Sequence, residues 1–173
     1  MQSENLQSKF DNFNWDNSRS KFKAWCKGET GFPIVDAAMK ELWETGYMHN
    51  RMRMITASFL VKNLLIDWRW GERWFWDCLF DADPASNIAG WQWTAGTGAD
   101  AAPYFRIFNP ILQGEKFDSK GDYTLRYLPV LKNIPLKYLQ KPWEYENGDF
   151  YIKPIINYKK SREMALLRYS EIK

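Results

Sequence analysis

Residues of mixed chemistry lie close together in the segment from Asp81 to Pro110. It reads DADPASNIAGWQWTAGTGADAAPYFRIFNP and combines acids, tryptophans, a glycine-rich turn and an arginine among aromatic residues. Asp83 followed by Pro84 is typical of a helix start, with the aspartate as the N-cap. The helix would carry an amide and an indole on one face, at Asn87 and Trp91. An ordinary core does not need this mixture, so the segment is a candidate site.

A second group of candidate residues lies upstream, where an amide and a thioether are one helical turn apart at Asn50 and Met54. The pair suits a nucleobase, because the amide can bond to a base edge while the sulfur packs on the ring. The alternative, which the spacing alone favours, is a buried helix end with Arg51 in solvent.

Arg53, Asp81 and Asp83 form a third candidate group. On spacing alone, a surface ion pair and a helix cap explain these residues better than a functional site does.

The apolar pattern predicts helices and no strands, so the expected fold class is all-α. Pro33 is expected to begin one helix and Gly46 to end it. The next helix is predicted from Met48 to about Asp67, with Trp68 at the end of its buried stripe. Gly71 is then expected to interrupt the helical pattern.

The rest of the chain is expected to contain shorter elements. Further helices are predicted at Glu72 to Phe80, after Asp83, at 119–128, at 135–141 and from Asn157 to Lys173. The segments Gly96 to Gly114 and 142–157 are expected to be turns and loops. No repeat or low-complexity tract is found, and the length suits one domain.

Composition narrows the class of protein. Ten Trp, nine Tyr and eleven Phe can build a dense core, and they also permit electron transfer or base stacking. The net charge of +3 permits nucleic-acid binding without requiring it. Cys26 and Cys78 have no Cys or His beside them, so neither a metal site nor a disulfide is expected. Because no disulfide framework is expected, a reduced, cytoplasmic compartment is expected. No signal peptide or membrane span is found.

Two long segments, Thr30 to Trp70 and Asp81 to Pro110, resemble in order and spacing the cofactor-proximal part of DNA photolyases and cryptochromes. These are flavoproteins that use blue light. The resemblance covers nearly all of the chain but only the C-terminal part of the family's helical FAD-binding domain. We find no counterpart of the family's N-terminal antenna domain or of its FAD phosphate-binding loop. Residues 1–173 are therefore expected to form a partial domain that holds FAD weakly or not at all by itself.

The resemblance implies a set of flavin-binding residues. Arg53 would pair with Asp81 and favour the anionic reduced flavin, and Ala82 and Asp83 would also contact the cofactor. The helix N-terminus at Asp83 adds a positive dipole to the same region. Asn87 matches the position that faces flavin N5, where photolyases carry Asn, plant cryptochromes typically Asp and insect cryptochromes Cys. Asn87 therefore favours a repair enzyme.

The resemblance also implies a set of DNA-binding residues. Those that match the lesion pocket of photolyases specific for cyclobutane pyrimidine dimers are Asn50, Met54 and Trp93. Those that match DNA contacts are Arg51, Arg106 and Gln113. Photolyases that repair the six–four photoproduct carry a histidine pair in this region, whereas this chain has only His49, which we expect to be structural.

Three tryptophans match the family's electron-transferring photoreduction triad, and they are Trp91, Trp68 and Trp15. Trp68 is expected roughly 20 Å from Met54 along one helix. Ordinary core packing is the alternative for each of the three tryptophans.

The function that the resemblance implies is light-driven repair of cyclobutane pyrimidine dimers by electron transfer from reduced FAD, a carbon–carbon lyase reaction. Whether this chain is active alone stays open. The alternatives are a cryptochrome-type photoreceptor or an inactive remnant that binds nucleic acid. The expected partner is UV-damaged DNA, with no membrane and no metal. The full-length form is expected to be monomeric, and an antenna chromophore is expected only with the N-terminal domain.

Overall fold

The computed structural model describes residues 4–99, 103–104 and 106–173. Within these ranges all regular secondary structure is helical, which confirms the all-α prediction. The α-helices are α1 (Arg19–Lys27), α2 (Pro33–Thr45), α3 (Asn50–Ser58), α4 (Trp68–Cys78), α5 (Pro84–Ala95), α6 (Pro110–Phe117), α7 (Asp122–Tyr127) and α8 (Tyr158–Ser170). The 3₁₀ turns are Ser8–Asn12, Pro129–Leu131, Leu136–Tyr138 and Pro142–Glu144.

The helix boundaries with strong local signals are where the sequence predicts them. Helix α2 begins at Pro33 and ends before Gly46, which has the left-handed φ of 69° that favours glycine. Helix α5 begins at Pro84, and the Asp83 carboxylate accepts a hydrogen bond from the Ser86 backbone N–H at 2.8 Å. Proline at the start of α2, glycine at its end and the aspartate cap of α5 therefore mark all three boundaries.

The helix predicted from Met48 to about Asp67 is shorter than expected. Helix α3 continues as a π-helical turn, Phe59–Asn63, and the chain then leaves the helix at Leu65, which has a φ of 53°. The side chain of Asn17 accepts a hydrogen bond from the Asp67 backbone N–H at 2.8 Å and so stabilises this corner. The prediction was wrong because a residue distant in the sequence stabilises the corner. Trp68 consequently begins α4, and it does not lie on the same helix as Met54.

Gly71 lies within α4 and does not interrupt it, contrary to the prediction. A Cβ atom at Gly71 would overlap the ring of Trp91 on α5 and would lie 2.6 Å from Leu60 Cδ2. The glycine therefore permits a close approach of α4 and α5 that no larger residue would allow.

Some of the short helices were predicted correctly and others were not. Helices α7 and α8 lie where helices were expected, but the predicted helix at 135–141 is only the 3₁₀ turn Leu136–Tyr138. Helices α1 and α6 were missed. Helix α6 begins inside the supposed loop, where the Asn109 side chain accepts hydrogen bonds from the N–H groups of Ile111 and Leu112 at 3.0 and 3.4 Å. Asn109 before Pro110 was the local signal that could have identified α6.

The largest hydrophobic cluster forms where helices α1 to α5 meet, and it contains the buried residues Trp25, Trp68 and Trp91. Cys26 and Cys78 are free thiols packed against this cluster. Burial, and secondarily the Coulombic effect of Cys78, raises the pKa of Cys26 to about 12.

Two further properties concern only the described part of the chain. None of its helices combines the length and the apolar character needed to cross a bilayer. It also contains no cluster of three or more His, Cys, Asp or Glu side chains that could hold a metal ion.

Candidate functional site

A cleft of about 430 Å³ opens between α3, α5 and the loop that follows α4. Its walls mix charged, amide and aromatic side chains. The lining includes the predicted residues Asn50, Arg53, Met54, Asp81, Ala82, Asp83, Asn87, Trp91 and Trp93. The fold therefore brings the predicted flavin and lesion residues into one cavity. Of the segment from Asp81 to Pro110, residues 100–102 and 105 lie outside the described residues.

Arg53 and Asp81 form an ion pair at one side of the cleft. Arg53 Nη2 lies 2.9 Å from Asp81 Oδ2 and 3.1 Å from Oδ1, and Arg53 Nε donates to the Met48 carbonyl at 2.5 Å. The guanidinium is thus held from two sides, which reduces the entropy that it would lose on binding a ligand. The pairing is the one that the resemblance implies, whereas flavin contact stays a prediction.

Asp83 occupies the edge of the cleft as the N-cap of α5. Its hydrogen bond from the Ser86 backbone N–H lowers the pKa of the carboxyl group. The adjacent residue Ala82 is half-buried and packs against the main core. Asp83 therefore stabilises the N-terminus of the helix that carries Asn87 and Trp91 along the cleft.

Asn87 is oriented by Glu72 of α4, a residue that the sequence did not indicate. The Asn87 amide nitrogen donates to the Glu72 backbone carbonyl at 3.0 Å and to Glu72 Oε1 at 3.2 Å. Burial raises the pKa of the Glu72 carboxyl group. Both amide hydrogens are used, so the Asn87 carbonyl oxygen is the group left to accept a hydrogen bond from a ligand. Only the packing of α4 on α5 reveals this pair.

The predicted nucleobase-binding residues lie at the mouth of the cleft. The Asn50 amide nitrogen lies 3.9 Å from the Met54 sulfur, which confirms that they share one helix face. Trp93 is 38% exposed and lines the same cavity. An amide, a thioether and an indole are therefore available together to a planar ligand.

The predicted DNA contacts are not among the described residues that line the cleft. The Arg51 guanidinium lies 4.4 Å from the centroid of the Phe117 ring, so it is held between α3 and α6. Arg106 is exposed in the loop before α6. On α6, Gln113 is half-buried, and its side-chain oxygen has no hydrogen-bond partner among the described residues.

The three predicted electron-transfer tryptophans differ in their surroundings. Trp91 is 2% exposed, lines the cleft and packs edge-on against Phe75 at 4.9 Å. Trp68 is buried, and its indole N–H donates to the Asn5 side chain at 2.9 Å. Trp15 is half-buried, with its ring centroid 4.4 Å from that of Phe13. All three contribute to one aromatic core or pack against it, but only Trp91 is among the described residues that line the cleft.

A family model described as the FAD binding domain of DNA photolyase matches residues 1–171. The chain belongs to this family, whose cofactor is FAD, and the resemblance seen in the sequence is confirmed.

Individual relatives agree with the family match. A deoxyribodipyrimidine photo-lyase from Agrobacterium fabrum is 56% identical over 179 residues, covering 98% of this chain and 37% of the relative. The crystal structure of a bacterial class III photolyase from Agrobacterium tumefaciens has a TM-score of 0.95 at 54% identity, covering 98% of this chain and 37% of that one. Cryptochrome-2 of Arabidopsis thaliana is 45% identical over 162 residues, covering 88% of this chain and 26% of the relative. The chain thus spans only about a third of the length of these relatives.

The cleft fits the flavin end of FAD. A Cβ atom at Gly90, on the lining of the cleft, would meet nothing within 4 Å, so open space lies beside the backbone of α5. The Arg53 guanidinium is a hydrogen-bond donor, and the Asn87 carbonyl oxygen is an acceptor without a partner among the described residues. Together they suit a ring system that carries both hydrogen-bond donors and acceptors.

Proposed function

We propose that this chain provides the flavin- and lesion-facing part of a photolyase that uses light and FAD to repair cyclobutane pyrimidine dimers in DNA. One observation carries the proposal. A single cleft is lined both by Arg53 and Asn87, which suit a flavin, and by Asn50, Met54 and Trp93, which suit a nucleobase. The proposal that the protein is a repair enzyme is also supported by relatives more than 50% identical to this chain that are named deoxyribodipyrimidine photo-lyase.

Reduced FAD, when bound, supplies the electron that opens the cyclobutane ring and takes it back afterwards. Arg53 and the N-terminus of α5 place positive charge beside the flavin site, and both favour a negatively charged ring system. The Asn87 carbonyl oxygen, oriented by Glu72, accepts a hydrogen bond at the flavin edge. Ala82 and Asp83 form the cleft edge beside these groups.

The lesion side of the cleft requires the dimer to leave the DNA stack, because the damaged bases cannot reach a cavity from inside a duplex. Asn50 then bonds to a base edge, while Met54 and Trp93 pack on its faces. Arg51 and Arg106 bind DNA phosphates outside the cleft, and Gln113 contacts the DNA backbone between these phosphates. DNA affinity is therefore expected to fall as the salt concentration rises.

The domain division is part of the same proposal. We assign residues 1–173 to the C-terminal part of the FAD-binding domain. The phosphates of FAD and any antenna chromophore would then bind to the part of a full-length photolyase that precedes the matched region. Alone, this chain would hold FAD weakly or not at all.

A cryptochrome-type photoreceptor is the second candidate, favoured by the 45% identity to the Arabidopsis thaliana protein. Asn87 counts against it, because plant cryptochromes typically carry Asp at this position. Asn50 and Met54 at the cleft mouth also favour a lesion-binding enzyme. Dimer repair by a protein that contains this chain would decide between the two candidates.

Met54→Ala tests the lesion pocket in a chimaera that joins this chain to the preceding part of the Agrobacterium fabrum relative. We expect the rate of dimer repair to fall about two- to twelvefold, because a sulfur–ring contact contributes about 0.3–1.5 kcal/mol. Binding to undamaged DNA should not change. Both are measured on oligonucleotides with and without one thymine dimer. Met164→Ala, which alters an exposed methionine on α8, is the matched control. Unchanged repair and lesion preference in Met54→Ala would remove the nucleobase role.

Trp15→Phe tests the electron-transfer role in the same chimaera. Phenylalanine keeps a ring packed on Phe13, so the unfolding free energy should change little. Light-driven reduction of oxidised FAD by an external donor should nevertheless be suppressed, whereas repair by pre-reduced protein should persist. Trp76→Phe, at an exposed tryptophan outside the triad, should leave both rates unchanged. A normal photoreduction rate in Trp15→Phe would exclude Trp15 from the route.

A further inference from the structure

Lys62 is a buried lysine with no part in the site described above. It lies in the π-helical turn Phe59–Asn63, and its side chain is 1% exposed. Its ammonium group forms no ion pair with a carboxylate of the described residues, and burial lowers its pKa to about 8. A buried cation without a counter-ion is costly, and π-helical turns are frequent at functional sites, so a specific role is expected.

The ammonium group of Lys62 instead holds a backbone carbonyl. Lys62 Nζ donates to the carbonyl oxygen of Arg106 at 2.9 Å and lies 5.3 Å from the centroid of the Tyr104 ring. A charge-assisted hydrogen bond is strong where water is excluded. Ser58 Oγ also accepts a hydrogen bond from the Phe108 N–H at 3.5 Å, which makes a second, weaker tether for the same loop.

Both tethers are on the helical segment that carries the lesion-facing residues. Helix α3 begins at Asn50, includes Met54 and Ser58, and continues directly into the turn that contains Lys62. The backbone from which the exposed Arg106 side chain projects is therefore held at a set position relative to the cleft mouth.

We propose that Lys62 is a positioning residue that fixes the Arg106 backbone so that its guanidinium reaches a DNA phosphate while the lesion occupies the cleft. The inference rests on the proposed function, because it assumes that Arg106 contacts DNA. Without the tether, the loop samples more conformations, and the entropy lost on binding increases. Lys62 itself stays buried and touches neither DNA nor the cofactor.

Trypsin tests the tether in the 173-residue chain itself, because it cleaves after Arg106, whose carbonyl Lys62 holds. Lys62→Met is expected to speed cleavage of the Arg106–Ile107 bond about ten- to a hundredfold, the range expected for a lost hydrogen bond to a charged group. Cleavage after Lys116, on α6, is the internal reference. Tyr104→Phe keeps the ring below the ammonium and should change neither rate. If Lys62→Met fails to fold, Lys62→Gln, which is too short to reach the carbonyl, replaces it. An unchanged rate at the Arg106–Ile107 bond overturns the inference.

A double-mutant cycle tests the purpose of the tether. The chain, Lys62→Met, Arg106→Ala and the double variant are titrated with a DNA duplex at several salt concentrations. Each single variant should bind DNA more weakly. The slope of the logarithm of the binding constant against the logarithm of the salt concentration should become shallower by the amount expected for about one lost phosphate contact. The double variant should be no weaker than Arg106→Ala, because Lys62 acts only through Arg106. Fully additive losses would show that Lys62 acts elsewhere. If Arg106→Ala alone has no effect on DNA binding, the DNA contact assigned to Arg106 in the proposed function is wrong. Lys62 then has no role in DNA binding. The trypsin experiment still shows whether the hydrogen bond from Lys62 restrains the loop.

Discussion

Gly90→Ala is expected to strengthen the fold and to weaken FAD binding at the same time. Gly90 lies inside α5, where alanine is favoured over glycine by about 0.5–1 kcal/mol. The added methyl group meets no neighbour within 4 Å, so this gain is offset by no steric cost. The methyl group extends into the cleft, however, and takes up space assigned to the flavin. Overpacking that costs about 1–3 kcal/mol would lower FAD affinity by a factor of about 5 to 150.

Two measurements separate these effects. Urea unfolding of the 173-residue chain gives the change in the free energy of unfolding, and fluorescence titration of the chimaera gives the FAD affinity. Gly71→Ala is the matched control, because its methyl group would overlap the Trp91 ring instead of entering open space. It should destabilise the chain by about 1–3 kcal/mol. If FAD binds to Gly90→Ala with undiminished affinity, the cleft is not the flavin site.

Asp36→Ala is expected to cause the largest loss of stability of any substitution considered. The Asp36 carboxylate is fully buried and accepts four hydrogen bonds. The donors are the Thr30 N–H at 2.7 Å, the Thr30 hydroxyl at 2.6 Å, the Gly31 N–H at 3.0 Å and the Tyr151 hydroxyl at 2.7 Å. Removing the acceptor leaves buried donors without partners, which costs about 3–5 kcal/mol.

This carboxylate joins two parts of the chain that are far apart in the sequence. It lies in the first turns of α2, whereas Tyr151 belongs to the segment before α8. Tyr151→Phe removes one donor and leaves the rest of the network, so it should cost only about 1–2 kcal/mol. Urea unfolding of both variants measures the difference. Equal losses would show that Asp36 acts mainly through Tyr151 and not through the Thr30 turn.

The sequence alone predicted the features that depend on neighbouring residues. Proline and glycine at the ends of α2 act within one helical turn, and so does the Asp83 cap of α5. The shared helix face of Asn50 and Met54 follows from the helical repeat. The family could be identified for a related reason, because its motifs are continuous segments of sequence. The roles of the site residues stay predictions.

The tertiary structure decided the features that depend on distant residues. The helix after Met48 ends at the corner at Leu65, which a hydrogen bond to the Asn17 side chain stabilises. No residue near this corner in the sequence predicts that the helix ends there. Local helix propensity predicts that Gly71 breaks a helix. In the structure Gly71 lies within α4, because only glycine allows α4 to pack this closely against α5. The same packing reveals the bond from Asn87 to Glu72. Lys62 likewise has no visible partner until the chain folds and the Arg106 carbonyl reaches it. These contacts depend on the three-dimensional path of the backbone, which local sequence preferences do not specify.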